Sequence, residues 1–462
     1  MRQYRMNKFS DLPALPPSLL QAVEVLGYTG MTPVQAGALP LMLAGQDVQA
    51  QAKTGSGKTA AFALALLARL QTEQSKLQSL VLCPTRELAD QVSKEIRALA
   101  RFIPNIKVVT LCGGISIRPQ LASLKHEPHI VVGTPGRILE LLTLGELKFE
   151  NLQTVVLDEA DRMLDMGFLE EVGNILKQTP ATRNTWLFSA TFPKPIRALS
   201  QQFQRSPAEV TVEAQHDASV IEQRFYKVET SNKPEAVLAL LLDRQADSCL
   251  IFCNTKIDAK DLTDFLWKRG IPVLNLNGDL EQREREEVLV QFANGSCRVL
   301  VATDVAARGL DIKALPLVIA YELSNDADVH THRVGRTGRA GETGLVLSLV
   351  APIEMGRLAR IEALGDGEAS WSKLPVSNSK VTLAKPAMRT LMIDAGRQDK
   401  LRPGDIVGAL TGVGGLAADQ VGKIDVFATR AYVAVVNSVI DKVIEKLRAG
   451  KIKGRNFRLK KL

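Results

Sequence analysis

Cysteine and histidine are scarce in this chain, with five of each among 462 residues. Cys83, Cys112, Cys249, Cys253 and Cys297 are odd in number, and no two form a CxxC pair. That excludes a disulfide framework and a thiolate zinc site, and it predicts buried free thiols in a reducing compartment. The histidines show no metal-ligand spacing. The N-terminus, MRQYRMNKFS, has no apolar signal core. The longest strongly apolar helix candidate, 60–70, is too short to span a bilayer and contains Arg69. Short-period repeats and low-complexity tracts are missing as well. These absences predict a cytoplasmic protein with no membrane partner.

Hydrophobic residues make up 45% of the chain and charged residues 23%, a globular balance that excludes disorder throughout. The length suggests about three domains. The net charge of +8 is placed unevenly. Residues 385–462 carry a net +9 and the remainder a net −1. Such asymmetry points to a polyanion or membrane surface met by the last segment.

Through the first 365 residues, short apolar runs alternate with longer helical patterns. LVLC (80–83), IVV (130–132), TVVLD (154–158) and WLFSA (186–190) read as buried strands. CLIFC (249–253), VLNLNG (273–278), RVLVATD (298–304) and LVIAYE (317–322) repeat the theme. Fully apolar strands alternating with helices imply parallel sheets covered on both faces, here formed twice. A linker is expected at about 206–220. The expected domains are 1–210 and 220–365, a second linker at 366–384, and a basic domain at 385–462.

AKTGSGKT (52–59) follows a strand-like stretch and opens a helical one. Glycines let backbone N–H groups turn toward phosphates, and the helix N-terminus adds positive charge. Ala52 stands where the strict P-loop pattern has Gly. Lys58 would reach the β and γ phosphates of ATP, and the Thr59 hydroxyl would ligate Mg²⁺. VVLDEAD (155–161) ends an apolar strand in three acids. Asp158 can hold Mg²⁺, and Glu159 can orient and deprotonate the attacking water. HRVGRTGR (332–339) offers Arg336 and Arg339, three apart, as arginine fingers for phosphoryl transfer.

These motifs form a series that closely resembles the DEAD-box RNA helicase family over about 7–365. Phe9 and GYTGMTPVQ (27–35) resemble the Q motif, although Met31 stands where most members have Pro. The resemblance implies that Gln35 bonds the adenine edge and Phe9 stacks on the ring. It assigns the cradle to Ala52, Lys53, Thr54, Gly55, Ser56, Gly57, Lys58 and Thr59. PTRELA (84–89), GG (113–114) and TPGR (134–137) resemble the first-domain RNA motifs, implying RNA contacts from Arg86, Gly114 and Arg137. SAT (189–191) resembles the motif that couples ATP to RNA, with Ser189 and Thr191 acting alongside Asp161. IFCNT (251–255), QRER (282–285) and ATDVAARGLD (302–311) follow in family order. They imply a ribose contact from Asp304 and RNA-backbone contacts from Arg283, Arg285 and Thr303. The expected architecture is α/β: two tandem RecA-like parallel-sheet domains plus a small α+β domain. Phosphate and sugar contacts carry no sequence information, so the core is expected to bind RNA without reading it. An RNA clamp that uses ATP only to close, and a DNA helicase, are the competing readings. RNA rather than DNA is the expected partner.

In the last segment, TLMIDAG (390–396), a helical middle, TRAYVAVV (429–436) and a basic end suggest βαββαβ. That resembles an RNA-recognition motif. The positions that usually stack bases on aromatic side chains hold Met392, Arg430 and Tyr432, so two of the three platforms are missing. Arg430 and Tyr432 are the expected RNA contacts, and a protein-binding role is the alternative. LRPGDIVGALTG (401–412) and GKIKGR (450–455) make the chain similar to the bacterial DbpA subfamily. The resemblance implies large-subunit ribosomal RNA and pre-ribosomal particles as partners. The basic domain is expected to be joined through a linker that lets the core sample duplexes near the bound RNA.

Overall fold

The structure, a computed structural model, describes residues 8–52, 55–212, 221–307, 315–338, 343–364, 368–376, 381–412, 415–449 and 451–462. Seven parallel strands form the first sheet: β1 (Val48–Gln51), β2 (Ser79–Leu82), β3 (Val108–Leu111), β4 (Ile130–Gly133), β5 (Thr154–Leu157), β6 (Asn184–Ser189) and β7 (Ala208–Thr211). Their order is β3-β4-β2-β5-β6-β1-β7. Side chains alternate between two cores, as the pleat requires. Val81, Val132, Val156 and Trp186 enter one. Leu80, Leu82, Val131, Val155 and Leu157 enter the other. This is why the strands read as unbroken apolar runs.

The second sheet holds β8 (Ile221–Lys227), β9 (Cys249–Cys253), β10 (Val273–Leu276), β11 (Val299–Thr303), β12 (Leu317–Ala320) and β13 (Gly344–Val350). It is parallel throughout, in the order β10-β11-β9-β12-β13-β8. The third sheet is antiparallel: β14 (Met388–Ile393), β15 (Val421–Val426), β16 (Ala431–Val436) and β17 (Leu459–Lys461), in the order β15-β16-β14-β17. Helices Pro403–Thr411 and Ile440–Ala449 give this last domain its βαββαβ succession. Their Ile406, Leu410, Val443 and Leu447 pack on Leu391, Ile393, Val433 and Val435 from one sheet face. The chain divides into two compact units, one holding the first sheet and the other holding the second and third. All five cysteines are buried free thiols.

The described parts of the two segments read as linkers are structured, while 213–220, 365–367 and 377–380 lie outside the described residues. Residues 208–211 form β7 and add to the edge of β1, with Val48 opposite Ala208. The stretch at 370–372 lies along β8: the Phe225 amide donates to the Ser370 carbonyl at 2.8 Å and the Ser372 amide to the Phe225 carbonyl at 2.9 Å. Further on, Leu374 and Leu383 pack on the second-sheet core, and the Gln245 amide bonds Thr382 and Ala384. Polar, Ser-rich composition hid these pairings, because an edge strand needs only backbone groups and a few apolar anchors.

The third sheet is also docked. Its outer face lies on the second helicase domain, on the helix Gln282–Ala293 and the turn after it. Val290, Met392 and Tyr432 form a small buried cluster. The Thr390 hydroxyl is fully buried, donates to the Ser296 hydroxyl at 2.8 Å and accepts from the Asn294 amide at 2.9 Å. In this arrangement the C-terminal domain is docked: the described parts of the linker and the sheet face both lie against the second helicase domain.

Candidate ATP and RNA site

Three loops leave the carboxyl ends of the adjacent strands β5, β6 and β1, the position where parallel α/β sheets place ligands. The loop after β1 carries the glycine-rich segment, and the helix Lys58–Arg69 follows it. Gly57 has φ 90°, and a Cβ there would lie 2.6 Å from Gln35 Nε2, so only glycine fits. Gln35 is buried, accepts from the Thr32 amide at 2.9 Å, and donates to the Gly57 carbonyl at 3.1 Å. The Q-motif glutamine is thus fastened directly to the phosphate loop. Phe9 is buried with its ring 6.3 Å from that of Tyr28, rather than presented as a free stacking face. Lys58 is buried, and its Nζ donates to the Ala52 carbonyl at 2.8 Å. Lys53 and Thr54 lie outside the described residues; Gly55, Ser56 and Thr59 complete the loop and the first helical turn.

Asp158 and Glu159 follow β5. Asp158 is fully buried, its Oδ1 has no hydrogen-bond partner among the described residues, and burial pushes its carboxyl well above the usual range despite nearby Lys58. A buried, under-bonded carboxylate suits a hard divalent cation. The Ser56 hydroxyl is likewise buried without a partner among the described residues. Glu159 sits at φ 53°, in the left-handed region that costs a non-glycine residue roughly 1–2 kcal/mol. An ion pair with Arg162 at 2.6 Å, buried on both sides, fixes its carboxylate.

Asp161 joins this loop to the next. Its Oδ2 accepts from the amides of Ala190 and Thr191, both at 3.0 Å, and from the Thr191 hydroxyl at 3.3 Å. Its own amide donates to the Ser189 hydroxyl at 3.1 Å. Four hydrogen bonds therefore tie the acid loop to the SAT segment. Across the same sheet, Arg86 covers Gly114, where a Cβ would meet its guanidinium at 2.8 Å. Arg137 is buried, donating to Glu140 at 2.8 Å and to the Ile115 carbonyl at 2.9 Å. The Thr134 hydroxyl accepts from the Gly113 amide at 3.2 Å. The three segments that carry Arg86, Gly114 and Arg137 are thereby one cross-linked group.

In the second unit, Asp304 follows β11. Arg333 grips it with two hydrogen bonds of 2.7 Å and also donates to the Asn254 side chain at 2.7 Å and the Glu322 carbonyl. Arg333 is 1% exposed and lies over the Phe252 ring. Sequence reasoning passed over it, although an acid expected to bond a ribose needed a partner to aim it. Arg162 was missed in the same way, three residues after Glu159. Arg285 donates to the Ala306 carbonyl at 2.6 Å, Arg283 is exposed, and Thr303 is nearly buried. Arg336 is buried, while Arg339 lies outside the described residues.

In the third domain, Tyr432 is 1% exposed against Val290 and Met392, so its expected role as a base-stacking platform is corrected in this arrangement. Arg430 remains about 30% exposed, between Glu287 at 3.8 Å and Asp394 at 3.7 Å.

The family profile "DEAD/DEAH box helicase" matches residues 32–199, and "Helicase conserved C-terminal domain" matches 232–341. The chain belongs to the DEAD-box family of ATP-dependent RNA helicases. It binds ATP and RNA. Yeast Dbp5 bound to RNA and ADP BeF3 aligns over 79% of this chain and 96% of its own, at 29% identity and a TM-score of 0.72. Within the family the chain is of the DbpA type. "DbpA RNA binding domain" matches 390–461. The chain is 50% identical to the ATP-dependent RNA helicase DbpA of Escherichia coli, over 99% of this chain and 100% of that protein. It is 37% identical to the Bacillus subtilis DbpA over 96% and 97%. No helix among the described residues is long and apolar enough to cross a membrane.

Proposed function

We propose that this helicase opens short RNA duplexes locally during assembly of the large ribosomal subunit, in the cytoplasm, directed to ribosomal RNA by its C-terminal domain. The observation that carries the coupling is Asp161, whose carboxylate holds Ala190 and Thr191 two residues beyond Glu159. A change around the γ phosphate is relayed through that carboxylate into the SAT segment. Asp158 and Thr59 would hold Mg²⁺, which supplies charge neutralisation on the phosphates. Glu159 takes the proton of the attacking water, with Arg162 setting its direction. Gln35 selects adenine, Asp304 meets the ribose, and Arg336 and Arg339 stabilise the transferred phosphoryl group. Arg86, Gly114, Arg137, Arg283, Arg285 and Thr303 line the RNA backbone. Full-length likeness to DbpA RNA helicases, the RNA-binding-domain match at 390–461 and the net +9 of residues 385–462 support RNA as what this domain meets; ribosomal RNA follows from the resemblance of the sequence motifs alone. The test is ATPase stimulation by a large-subunit RNA fragment, an unrelated RNA of equal length, and DNA of the fragment's sequence. Preference for the fragment is expected; equal stimulation by all three overturns the proposal.

A further inference from the structure

Beside the docked sheet lies a cleft of about 540 Å³. That is within the roughly 300–1,000 Å³ of pockets that hold single small ligands. It is large enough for one nucleotide and too small for a duplex. Its wall is cationic: Arg430, Arg448, Arg458 and Lys460 face Glu287 and Asp394. Arg448, Arg458 and Lys460 are exposed. Phe457 supplies a half-buried aromatic ring on the same wall.

The ion pairs across the cleft are loose. Glu287 reaches Arg430 at 3.8 Å and Lys460 at 3.9 Å, and Arg430 reaches Asp394 at 3.7 Å. All three exceed hydrogen-bonding distance, and such partly exposed pairs contribute little. Four cations against two acids leave the cleft electropositive. Glu287 belongs to the helix Gln282–Ala293 of the helicase domain; the cations belong to the C-terminal domain. The acid therefore occupies, between two cations of the neighbouring domain, the place a phosphate would take.

We propose that this cleft is a single-stranded RNA subsite taking one nucleotide, its base against Phe457 and its phosphate between Arg430 and Lys460 in exchange for Glu287. Stacking on an aromatic ring beside a cationic track is how proteins hold single strands without reading sequence. Because the outer sheet face is used for docking, this cleft takes over the stacking role that Tyr432 cannot fill. The proposal rests on the C-terminal domain being the RNA-binding element.

The full chain is tested with a short single-stranded RNA carrying one 5-iodouridine, photocrosslinked and mapped by mass spectrometry, and titrated by anisotropy. A crosslink at Phe457 is expected. Phe457→Leu, which keeps most of the apolar volume, should lose the crosslink and weaken binding by about 5- to 100-fold. Lys460→Gln should lower the salt slope by about 0.7, one single-strand phosphate. Glu287→Gln should tighten binding several-fold by removing the competing anion. Crosslinks only elsewhere, with all three variants binding as the parent does, overturn the proposal. So does binding of a polyglutamate peptide in place of the RNA strand, which makes the cleft a protein site. RNA-stimulated ATPase, measured alongside, separates the two readings: if it persists while the cleft variants are silent, only the subsite fails.

Discussion

Arg333 is the residue whose removal tests most directly how the second helicase domain builds its part of the ATP site. Its guanidinium makes two bonds to Asp304 and one each to Asn254 and Glu322, from a position 1% exposed. Arg333→Met keeps much of the apolar length and removes every donor. The Asp304 side chain is 20% exposed, so water can partly replace its lost partner. The Asn254 oxygen and the Glu322 carbonyl lose a donor as well. A buried pair broken on one side costs about 3–5 kcal/mol; solvent access to Asp304 places the effect near the lower end, about 3 kcal/mol. Whole-chain melting would blur this, because several domains unfold separately. Hydrogen exchange resolved to peptides over β9, β11 and β12 isolates it. A loss of about 3 kcal/mol lowers protection there by roughly a hundredfold, with β1 to β7 unchanged. Arg333→Lys keeps the charge but not the fork and should recover less than half of the loss. ATP affinity should fall in parallel, as Asp304 loses its aim. Protection within threefold of the parent in Arg333→Met would refute the reasoning.

Glu159→Gln should bind ATP and RNA yet hydrolyse roughly 10²–10⁴-fold more slowly; single-turnover ATPase checks it, and normal turnover excludes Glu159 as the base. His330 is buried against Gln223 and Phe225, and burial, then Arg333, holds it down to about 4. The unfolded chain binds that proton below about 6.5 and the native chain does not, so stability is complete above 6.5 and falls as pH drops toward 4, by up to about 3 kcal/mol. Urea titrations of parent and His330→Gln, followed by a probe placed in the second sheet, should converge in pH dependence only above 6.5; parallel curves from 7 to 4 would remove His330 as the cause. Val290→Glu puts a carboxylate against Met392 and Tyr432 and should undock the C-terminal domain, read as a widened distance distribution between labels on the two domains. RNA binding by the C-terminal domain should persist, and an unchanged distribution would show that the sheet face does not hold the domain.

Much of the fold was legible because fully buried parallel strands are apolar on both faces. CLIFC reads as a strand and forms β9 over the same five residues. β3 and β7 were not picked out, because at the sheet edges only alternate residues are buried: Val109 and Leu111 in one, Val210 in the other. At the candidate ATP site, the residues expected to meet the ligand stand in dense motifs and were named. Residues that aim them were not, because Arg162 and Arg333 carry no signal beyond a charge near an acid. The C-terminal face failed for a different reason. An RNA-recognition sheet face and a docking face ask for the same residues, a row of large side chains on alternate positions of β14 and β16. Only the presence of Val290, Asn294 and Ser296 opposite that row distinguishes the two uses.

Docking changes how targeting by the C-terminal domain would work. A flexible tether raises local concentration to the millimolar range and lets the core engage any duplex within reach. A domain held by its sheet face and by a linker laid along β8 gives the second helicase domain one distance and direction from the bound RNA. On the proposed assignment of Arg283 and Arg285 to the RNA backbone, such a helicase would select its RNA by geometry: a strand at the right offset would be presented to them, and one elsewhere would not. The docking helix makes this direct, because Gln282–Ala293 carries Arg283 and Arg285 at its start and Glu287 and Val290 further along, against the C-terminal domain. Specificity for a place in a large RNA then needs no base reading by the core, only a fixed arm between the reading domain and the pulling one.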